Sequence, residues 1–315
     1  MQQELLADSN EIYVKAICGS GKTEITYEVI LKTLKEGKRV GIAIPRRAIV
    51  HELYLRLKKV FYNTKIVEVY GGHNNGLDGD IVIFTCHQSY LFYQSFGLLI
   101  IDEYDAFPLK NNEVLLNMLK NSVEGKKIYL SATFIDDDIK QFKHFELYKR
   151  YHNHPLDMPK FIFGSFIKQL FLFSSQVQQY QKNKKRLLVF LPTIKQLNLM
   201  KSYFTFLHIK CFMAHSKNQD DIKNLKKEKS YICLTTTILE RGITIDNLDV
   251  IIFNGDHQIF DYQTLIQICG RVGRSYLYPS GKITIYAKEN SQKFTMVKNY
   301  ITIANEDVSC LPKKN

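Results

Sequence analysis

Short apolar runs alternate with longer segments of helical periodicity along most of this 315-residue chain. Nearly continuous runs of Val, Ile and Leu that are separated by helices indicate strands buried on both faces of a parallel sheet. Helical spacing is clearest in residues 23–35, which Gly37 ends, and in residues 48–60. The predicted strands are 13–17, 40–44, 66–70, 81–85, 98–101 and 127–130 in the first half, and 187–191, 209–213, 231–235, 250–254 and 282–287 in the second.

One interruption divides this pattern into two parts. Residues 152–159 (HNHPLDMP) hold two prolines and show neither the helical nor the strand periodicity, which is typical of a linker. We therefore predict two α/β domains with parallel sheets, at residues 1–150 and 161–315, joined by a linker at 151–160. The length agrees with this division, because a domain averages about 150 residues.

Composition excludes several classes of protein. With 45% hydrophobic residues, 16 Gly and 7 Pro, the chain is neither disordered nor of low complexity. Its apolar runs are far shorter than the ~18 residues of a transmembrane helix, and its start lacks the features of a signal peptide. We expect a soluble, cytoplasmic protein. The six cysteines include no C-x-x-C pair, so we expect no zinc site and no disulfide framework in this chain.

The net charge of +12 is distributed unevenly. Residues 1–150 carry 20 basic and 19 acidic residues, whereas residues 151–315 carry 23 basic and 12 acidic residues. This asymmetry favours a polyanionic partner for the second half. Lysine-rich helix faces that are merely solvated give the same pattern. Charge therefore leaves both interpretations open.

The strongest chemical signal is Ala16-Ile-Cys-Gly-Ser-Gly-Lys-Thr23. It follows a predicted strand and opens a predicted helix, where a glycine-rich loop can turn its backbone N–H groups towards phosphates. Lys22 is expected to reach the β- and γ-phosphates of ATP, and the Thr23 hydroxyl to bind Mg²⁺. The other residues expected to contact the nucleotide here are Ala16, Ile17, Cys18, Gly19, Ser20 and Gly21.

Two carboxylates follow a later apolar run. Asp102 and Glu103 come where a predicted strand ends, and ligands bind at that edge of open α/β sheets. We expect Asp102 to hold Mg²⁺, and Glu103 to orient and deprotonate the attacking water. Ser131 and Thr133, at the end of the next predicted strand, are expected to couple the nucleotide site to its surroundings.

The segment Gln267-Ile-Cys-Gly-Arg-Val-Gly-Arg274 lies near the end of the second domain. Arginines three positions apart on a helix share one face, and a planar guanidinium suits a γ-phosphate and the charge that develops on it. We predict that Arg271 and Arg274 are arginine fingers, supplied by the second domain to an ATP site in the interdomain cleft. A solvated helix face is the alternative.

Taken in order, the segments GSGKT, DEYD, SAT, ERGIT and QxxGRxGR resemble the motifs of superfamily 2 helicases and translocases. Within that superfamily, Asp105-Ala-Phe-Pro108, His152-Asn-His-Pro155 and Thr236-Thr-Ile-Leu-Glu-Arg-Gly242 are similar to segments of the ComFA family of competence ATPases. The resemblance implies two RecA-like domains, and an ATP-driven motor on single-stranded DNA that serves DNA uptake in transformation. It also implies that Gly242, Thr244 and Gln267 lie at the nucleotide.

DNA contacts and partners are implied by the same resemblance. By position, the residues expected to contact DNA phosphates are Arg46, Thr85, His87 and Thr235. Other competence proteins, a membrane DNA channel and further copies of this chain are the implied protein partners, which would place the protein at the inner face of the membrane. The four-cysteine zinc module of that family has no counterpart in these residues.

Three other functions share parts of this pattern. A replication-restart helicase of the PriA kind shares the general motifs, but it needs fork-binding modules for which these two domains leave no room. An RNA helicase of the DEAD-box type is disfavoured, because Asp-Glu-Tyr-Asp replaces its acidic tetrad and Gln267 replaces its usual His. A DNA-binding scaffold without motor activity is the non-enzymatic alternative. ATP turnover with and without single-stranded DNA separates it from the motor.

Overall fold

The computed structural model describes residues 5, 9–74, 76–133, 142–183, 185–215, 228–237 and 245–309. The chain divides into two compact units, Met1–Leu147 and Tyr148–Asn315. Each unit contains one predominantly parallel β-sheet with α-helices packed against it.

The first unit is built on an eight-stranded sheet in the order β4-β3-β5-β2-β6-β7-β1-β8. All its neighbouring strands are parallel except β3 and β4. The strands are β1 (Glu11–Ala16), β2 (Val40–Ile44), β3 (Ile66–Tyr70), β4 (His73–Asn74), β5 (Ile81–Thr85), β6 (Phe96–Asp102), β7 (Val123–Ser131) and β8 (Lys143–Leu147). The described helices are α1 (Tyr27–Lys35), α2 (Arg47–Val60) and α3 (Glu113–Asn121), with 3-10 helices at Glu24–Thr26 and Cys86–Leu91.

Successive side chains of these strands point to opposite faces of the sheet, and each face carries its own hydrophobic core. Ile42 and Ile44 of β2 pack in the same cluster as α1 and α2, whereas Ala43 between them belongs to the cluster that includes α3. Because both faces are covered, the central strands read as continuous apolar runs, as the sequence predicts.

The second unit has a six-stranded parallel sheet in the order β11-β12-β10-β13-β14-β9. Its strands are β9 (Lys160–Phe163), β10 (Arg186–Phe190), β11 (Phe212–Ala214), β12 (Tyr231–Thr235), β13 (Leu248–Ile252) and β14 (Ile283–Ala287). Its described helices are α4 (Phe166–Asn183), α5 (Ile194–Phe206), α6 (Tyr262–Cys269) and α7 (Gln292–Ser309). Side chains of Thr193 and Asp261 accept N–H groups from the first turns of α5 and α6, so each helix start is fixed by a cap.

The fold class predicted from the sequence, two tandem α/β domains with parallel sheets, is confirmed. Three strands were not predicted: β4, β8 and β9. The segment for which two prolines predict a linker is packed against the second unit, where Leu156 exchanges two hydrogen bonds with the Asn305 amide. Among the described helices, none combines the length and apolar composition of a membrane-spanning helix.

Candidate active site

The loop after β1 has the backbone shape of a phosphate cradle. Gly19 and Gly21 have φ values of 85° and 83°, a left-handed region that a residue without a Cβ adopts readily. The Ser20 N–H donates to the Ile17 carbonyl (3.2 Å), which closes the loop tightly. A 3-10 helix at Glu24–Thr26 then leads directly into α1.

Several donors of this loop point away from the protein's own acceptors. Among the described residues, none accepts a hydrogen bond from the backbone N–H of Gly19, Gly21, Lys22 or Thr23. Successive N–H groups without an internal acceptor form a concave anion site, and the start of the following helix adds partial positive charge. The Lys22 side chain is only half-buried. The loop can therefore bind the phosphates of a nucleotide.

The acidic pair stands on a turn that begins at the end of β6. Glu103 has a φ of 55°, which is uncommon for a residue with a side chain and marks a locally strained backbone. The turn is tied down twice, because the Tyr104 N–H donates to the Leu130 carbonyl (3.2 Å) and the Ala106 N–H to the Glu103 carbonyl (2.9 Å). These two bonds hold the main chain from which the Glu103 side chain projects.

Sheet order brings the loop and the acidic pair to one edge. Strand β7 lies between β1 and β6, and its register pairs Ser131 with Lys15 on one side and Leu130 with Asp102 on the other. The ends of β1 and β6 are thus two strand spacings apart, about 10 Å. The cradle and the carboxylates can face a single nucleotide from that distance.

The residues present fit a Mg²⁺ ion between these two groups. Thr23 offers a hydroxyl that makes no helix-capping bond, and Asp102 offers a carboxylate. Within the described ranges, no three or more His, Cys, Asp or Glu side chains are grouped to hold a metal. Mg²⁺ at phosphate sites needs no such group, because one or two protein oxygens, waters and the substrate phosphates complete its shell.

Behind the edge, a hydrogen bond joins the acidic motif to the end of β7. The Thr133 hydroxyl donates to the Asp105 carboxylate, and the Thr133 N–H donates to the Ser131 hydroxyl (2.9 Å). Both threonine and serine are buried. This network gives Ser131 and Thr133 a physical connection to the acidic turn. Asp105 is not among the predicted site residues, although it is the fourth residue of the DEYD segment.

The residues proposed for DNA contact from the first unit lie at the same edge of the sheet. Strands β2 and β5 are neighbours, and Ile44 is in register with Thr85, so Arg46 and His87 both follow adjacent strand ends. Arg46 is half-buried, Thr85 is buried and His87 is exposed. Strand β2 neighbours β6, so this part of the edge adjoins the β6-β7-β1 part that holds the cradle and the carboxylates.

In the second unit, the structure corrects the expected helix face. Helix α6 ends at Cys269, and Arg271 and Arg274 lie in the turn that follows, so they do not share a helix face. Within this turn, Gly273 takes a left-handed φ of 68°. Arg271 is only 2% exposed, whereas Arg274 is half-buried and its Nε donates to the Gly270 carbonyl (2.9 Å).

Other predicted site residues of this unit have different surroundings. Gln267 is buried on α6, and its Oε1 has no hydrogen-bond partner in the described part of the chain. Thr235 is fully buried, and its hydroxyl donates to the Ala214 carbonyl (2.8 Å), so it ties β12 to β11 and offers no exposed group to DNA. Gly242 and Thr244 lie outside the described residues.

Comparisons with known proteins identify the two units. Residues 2–142 match the family model of the DEAD/DEAH box helicases, and residues 166–276 match the helicase conserved C-terminal domain. The competence protein ComFA of Streptococcus pneumoniae is 34% identical over 292 residues, which are 87% of this chain and 67% of that protein. The chain belongs to the ComFA family. ComFA of Bacillus subtilis is 27% identical, over 96% of this chain and 69% of its own length.

Solved structures agree on the fold. Dbp5 of S. cerevisiae bound to RNA and ADP BeF3 superposes with a TM-score of 0.70 at 16% identity, covering 97% of this chain and 87% of that one. RecG bound to a three-way DNA junction gives 0.69 at 18% identity, covering 98% and 46%. Such likeness shows tandem RecA-like domains. This ComFA-family member is therefore a superfamily 2 helicase-like enzyme of competence that hydrolyses ATP with Mg²⁺, and the resemblance expected from the sequence motifs is confirmed.

Proposed function

We propose that this ComFA-family member is a DNA-dependent ATPase that moves along single-stranded DNA and powers DNA uptake during transformation. The observation that carries the proposal is the shared sheet edge of the first unit, where the phosphate cradle and the acidic turn stand two strands apart. Membership in a competence family and the basic second half support DNA as the polymer.

Each group at that edge has a distinct role in the proposal. The N–H groups of residues 19–23 and the Lys22 ammonium bind the phosphates of ATP. Thr23 and Asp102 would hold Mg²⁺, and a cation there neutralises phosphate charge. Glu103, on the turn after β6, orients a water and accepts its proton as the water oxygen bonds to the γ-phosphorus, while the bond from that phosphorus to the bridging oxygen breaks and ADP leaves.

The arginine turn supplies the remaining charge. We propose that Arg271 and Arg274 stabilise the negative charge that develops on the transferred phosphoryl group. Such arginines are worth about 10³–10⁵-fold in rate in other phosphoryl-transfer enzymes. Because the charge is largest in the transition state, removing either arginine should lower kcat more than it weakens ATP binding.

DNA binding in the proposal is sequence-blind. Arg46 and His87 follow the ends of β2 and β5, and Thr85 is the last residue of β5. Side chains at strand ends suit phosphate contact. Thr133 and Asp105 would report the state of the acidic turn to that neighbouring side through their hydrogen bond. Other competence proteins, further copies of this chain and a DNA channel at the inner face of the membrane are the proposed protein partners.

The test is the rate of ATP hydrolysis with and without single-stranded DNA, paired with displacement of streptavidin from a biotinylated strand. We expect stimulation by DNA and strand-end displacement that needs ATP. Lys22→Ala should lose ATP binding, whereas Glu103→Gln should bind ATP and lose turnover. Glu113→Gln, an exposed carboxylate in the first turn of α3, is the matched control.

Two outcomes would redirect the proposal. Turnover that duplex forks stimulate more than single strands, together with unwinding, would favour a replication-restart type of helicase. DNA binding without any turnover would favour a scaffold without motor activity. Native turnover in Glu103→Gln would remove Glu103 from the role of base.

A further inference from the structure

Three consecutive side chains at the start of the second unit hold the arginine turn. The Arg150 Nη1 donates to the Gly273 carbonyl (2.9 Å), and the His152 Nε2 lies 2.8 Å from the same oxygen. Between them, the Tyr151 hydroxyl donates to the Arg274 carbonyl (2.8 Å). All three bonds join positions more than 120 residues apart in sequence, and we call this group the 150–152 clamp.

The clamp occupies the hydrogen-bonding capacity of the Gly273 carbonyl, and close contacts restrict the space around the Gly273 Cα. A carbonyl oxygen has two lone pairs, and Arg150 and His152 use both at Gly273. A Cβ added at Gly273 would lie 2.3 Å from the Pro279 carbonyl oxygen and 2.8 Å from the Arg150 Nη1. The backbone between Arg271 and Arg274 therefore has little freedom to move.

The bonds of His152 define its protonation state. The Gly273 carbonyl can only accept, so Nε2 must carry a proton, and Nδ1 accepts the backbone N–H of His154 (3.2 Å). Only the neutral imidazole with its proton on Nε2 makes both bonds. Burial lowers the pKa of His152, and the charges of Arg150 and His154 act in the same direction against the bond to Gly273.

Burying the charge of Arg150 costs desolvation free energy. Arg150 is only 1% exposed, and a buried guanidinium is tolerated only when hydrogen bonds and opposite charge compensate it. Its charge acts on the Asp157 carboxyl, whose pKa burial raises and Arg150 partly lowers again. A packed apolar side chain could stabilise the segment without fixing a carbonyl. A guanidinium that donates a hydrogen bond to the Gly273 oxygen fixes the direction of that carbonyl group as well as its position.

We propose that Arg150, Tyr151 and His152 are positioning residues for ATP hydrolysis, which aim Arg271 and Arg274 by fixing the main chain of their turn. The inference rests on the proposed role of those two arginines and adds the residues through which they are placed. None of the three clamp residues need touch ATP. A displacement of about 1 Å in a catalytic group can cost about 10²-fold in rate, so the clamp acts on kcat.

The experiment compares kcat and KM for ATP in the full chain with single-stranded DNA present. His152→Ala should lower kcat by about 10–100-fold with KM for ATP nearly unchanged, and His152→Gln, which restores a donor, should recover most of the loss. Tyr151→Phe removes one hydroxyl and should lower kcat in the same way. The matched controls are His144→Ala, at an exposed residue of β8, and Tyr276→Phe, at a residue that is 74% exposed, and both should keep native kcat.

A double-mutant cycle separates positioning from simple destabilisation. In an Arg274→Ala background, His152→Ala should cost little further rate, because the group that it aims is gone. An equal fold-loss in both backgrounds would overturn the clamp while leaving the arginine role intact. Native kcat in both Arg271→Ala and Arg274→Ala would instead overturn the arginine role itself. If His152→Ala does not fold, Tyr151→Phe carries the same cycle.

Discussion

Gly273→Ala is the substitution whose cost the structure defines best. Gly273 has a φ of 68°, and a left-handed residue with a Cβ costs roughly 1–2 kcal/mol. The new methyl group would also collide with the Pro279 carbonyl oxygen at 2.3 Å, which is backbone and cannot swing away. Overpacking of this kind adds about 1–3 kcal/mol. The expected loss is therefore about 2–5 kcal/mol of unfolding free energy.

Gly37→Ala is the control for the backbone term alone. Gly37 has a φ of 72°, but nothing lies within 4 Å of its added Cβ, so only the roughly 1–2 kcal/mol of left-handed strain applies. Thermal melts and steady-state ATP hydrolysis measure both variants. Gly273→Ala should melt several degrees lower than Gly37→Ala and lose DNA-stimulated turnover below its melting range, whereas Gly37→Ala keeps it. Equal melting shifts and native turnover in both would refute the steric account of the turn.

Three further predictions concern coupling, pH and salt. Thr133→Val should keep basal ATP hydrolysis and lose its stimulation by DNA, because the bond to Asp105 is gone; Thr33→Val, a buried threonine on α1, should keep both rates. Neutral His152 contributes stability that is complete above its unfolded pKa of about 6.5. This stability is lost as pH falls through the lowered pKa of His152 in the folded protein. His152→Gln should therefore reduce the fall in melting temperature below about pH 6.5. Log affinity for single-stranded DNA should fall linearly with log salt, by about 0.7 per phosphate contact; a flat titration would contradict backbone binding.

Features whose signal is local could be predicted from the sequence. The phosphate cradle is contiguous, so its glycines, Lys22 and Thr23 are visible as one segment between a strand and a helix. Asp102 and Glu103 stand out because the strand before them is apolar throughout. Strand β8 could not be predicted in this way, because its sequence KHFEL is mostly polar and it lies at the edge of the sheet.

Features that depend on tertiary contacts could not be predicted. The i, i+3 spacing of Arg271 and Arg274 implies a shared face only while the helix continues, and α6 ends two residues before Arg271. Thr235 has the sequence context of an exposed strand end, but its neighbour β11 takes its hydroxyl. The 150–152 clamp leaves no local signal, since its partners lie more than 120 residues downstream.

Only residues 148 and 149 connect the end of β8 to the 150–152 clamp. Leu147 accepts a hydrogen bond from the Ile17 N–H, at the root of the phosphate cradle, and Arg150 grips the arginine turn only three residues later. Three residues of extended chain span about 10 Å, so residues 147 and 150 stay within that distance of each other whatever conformation residues 148 and 149 adopt. Glycine-serine insertions between residues 148 and 149 would lengthen this connection without removing any side chain of the site. The rate of ATP turnover should fall with each added residue.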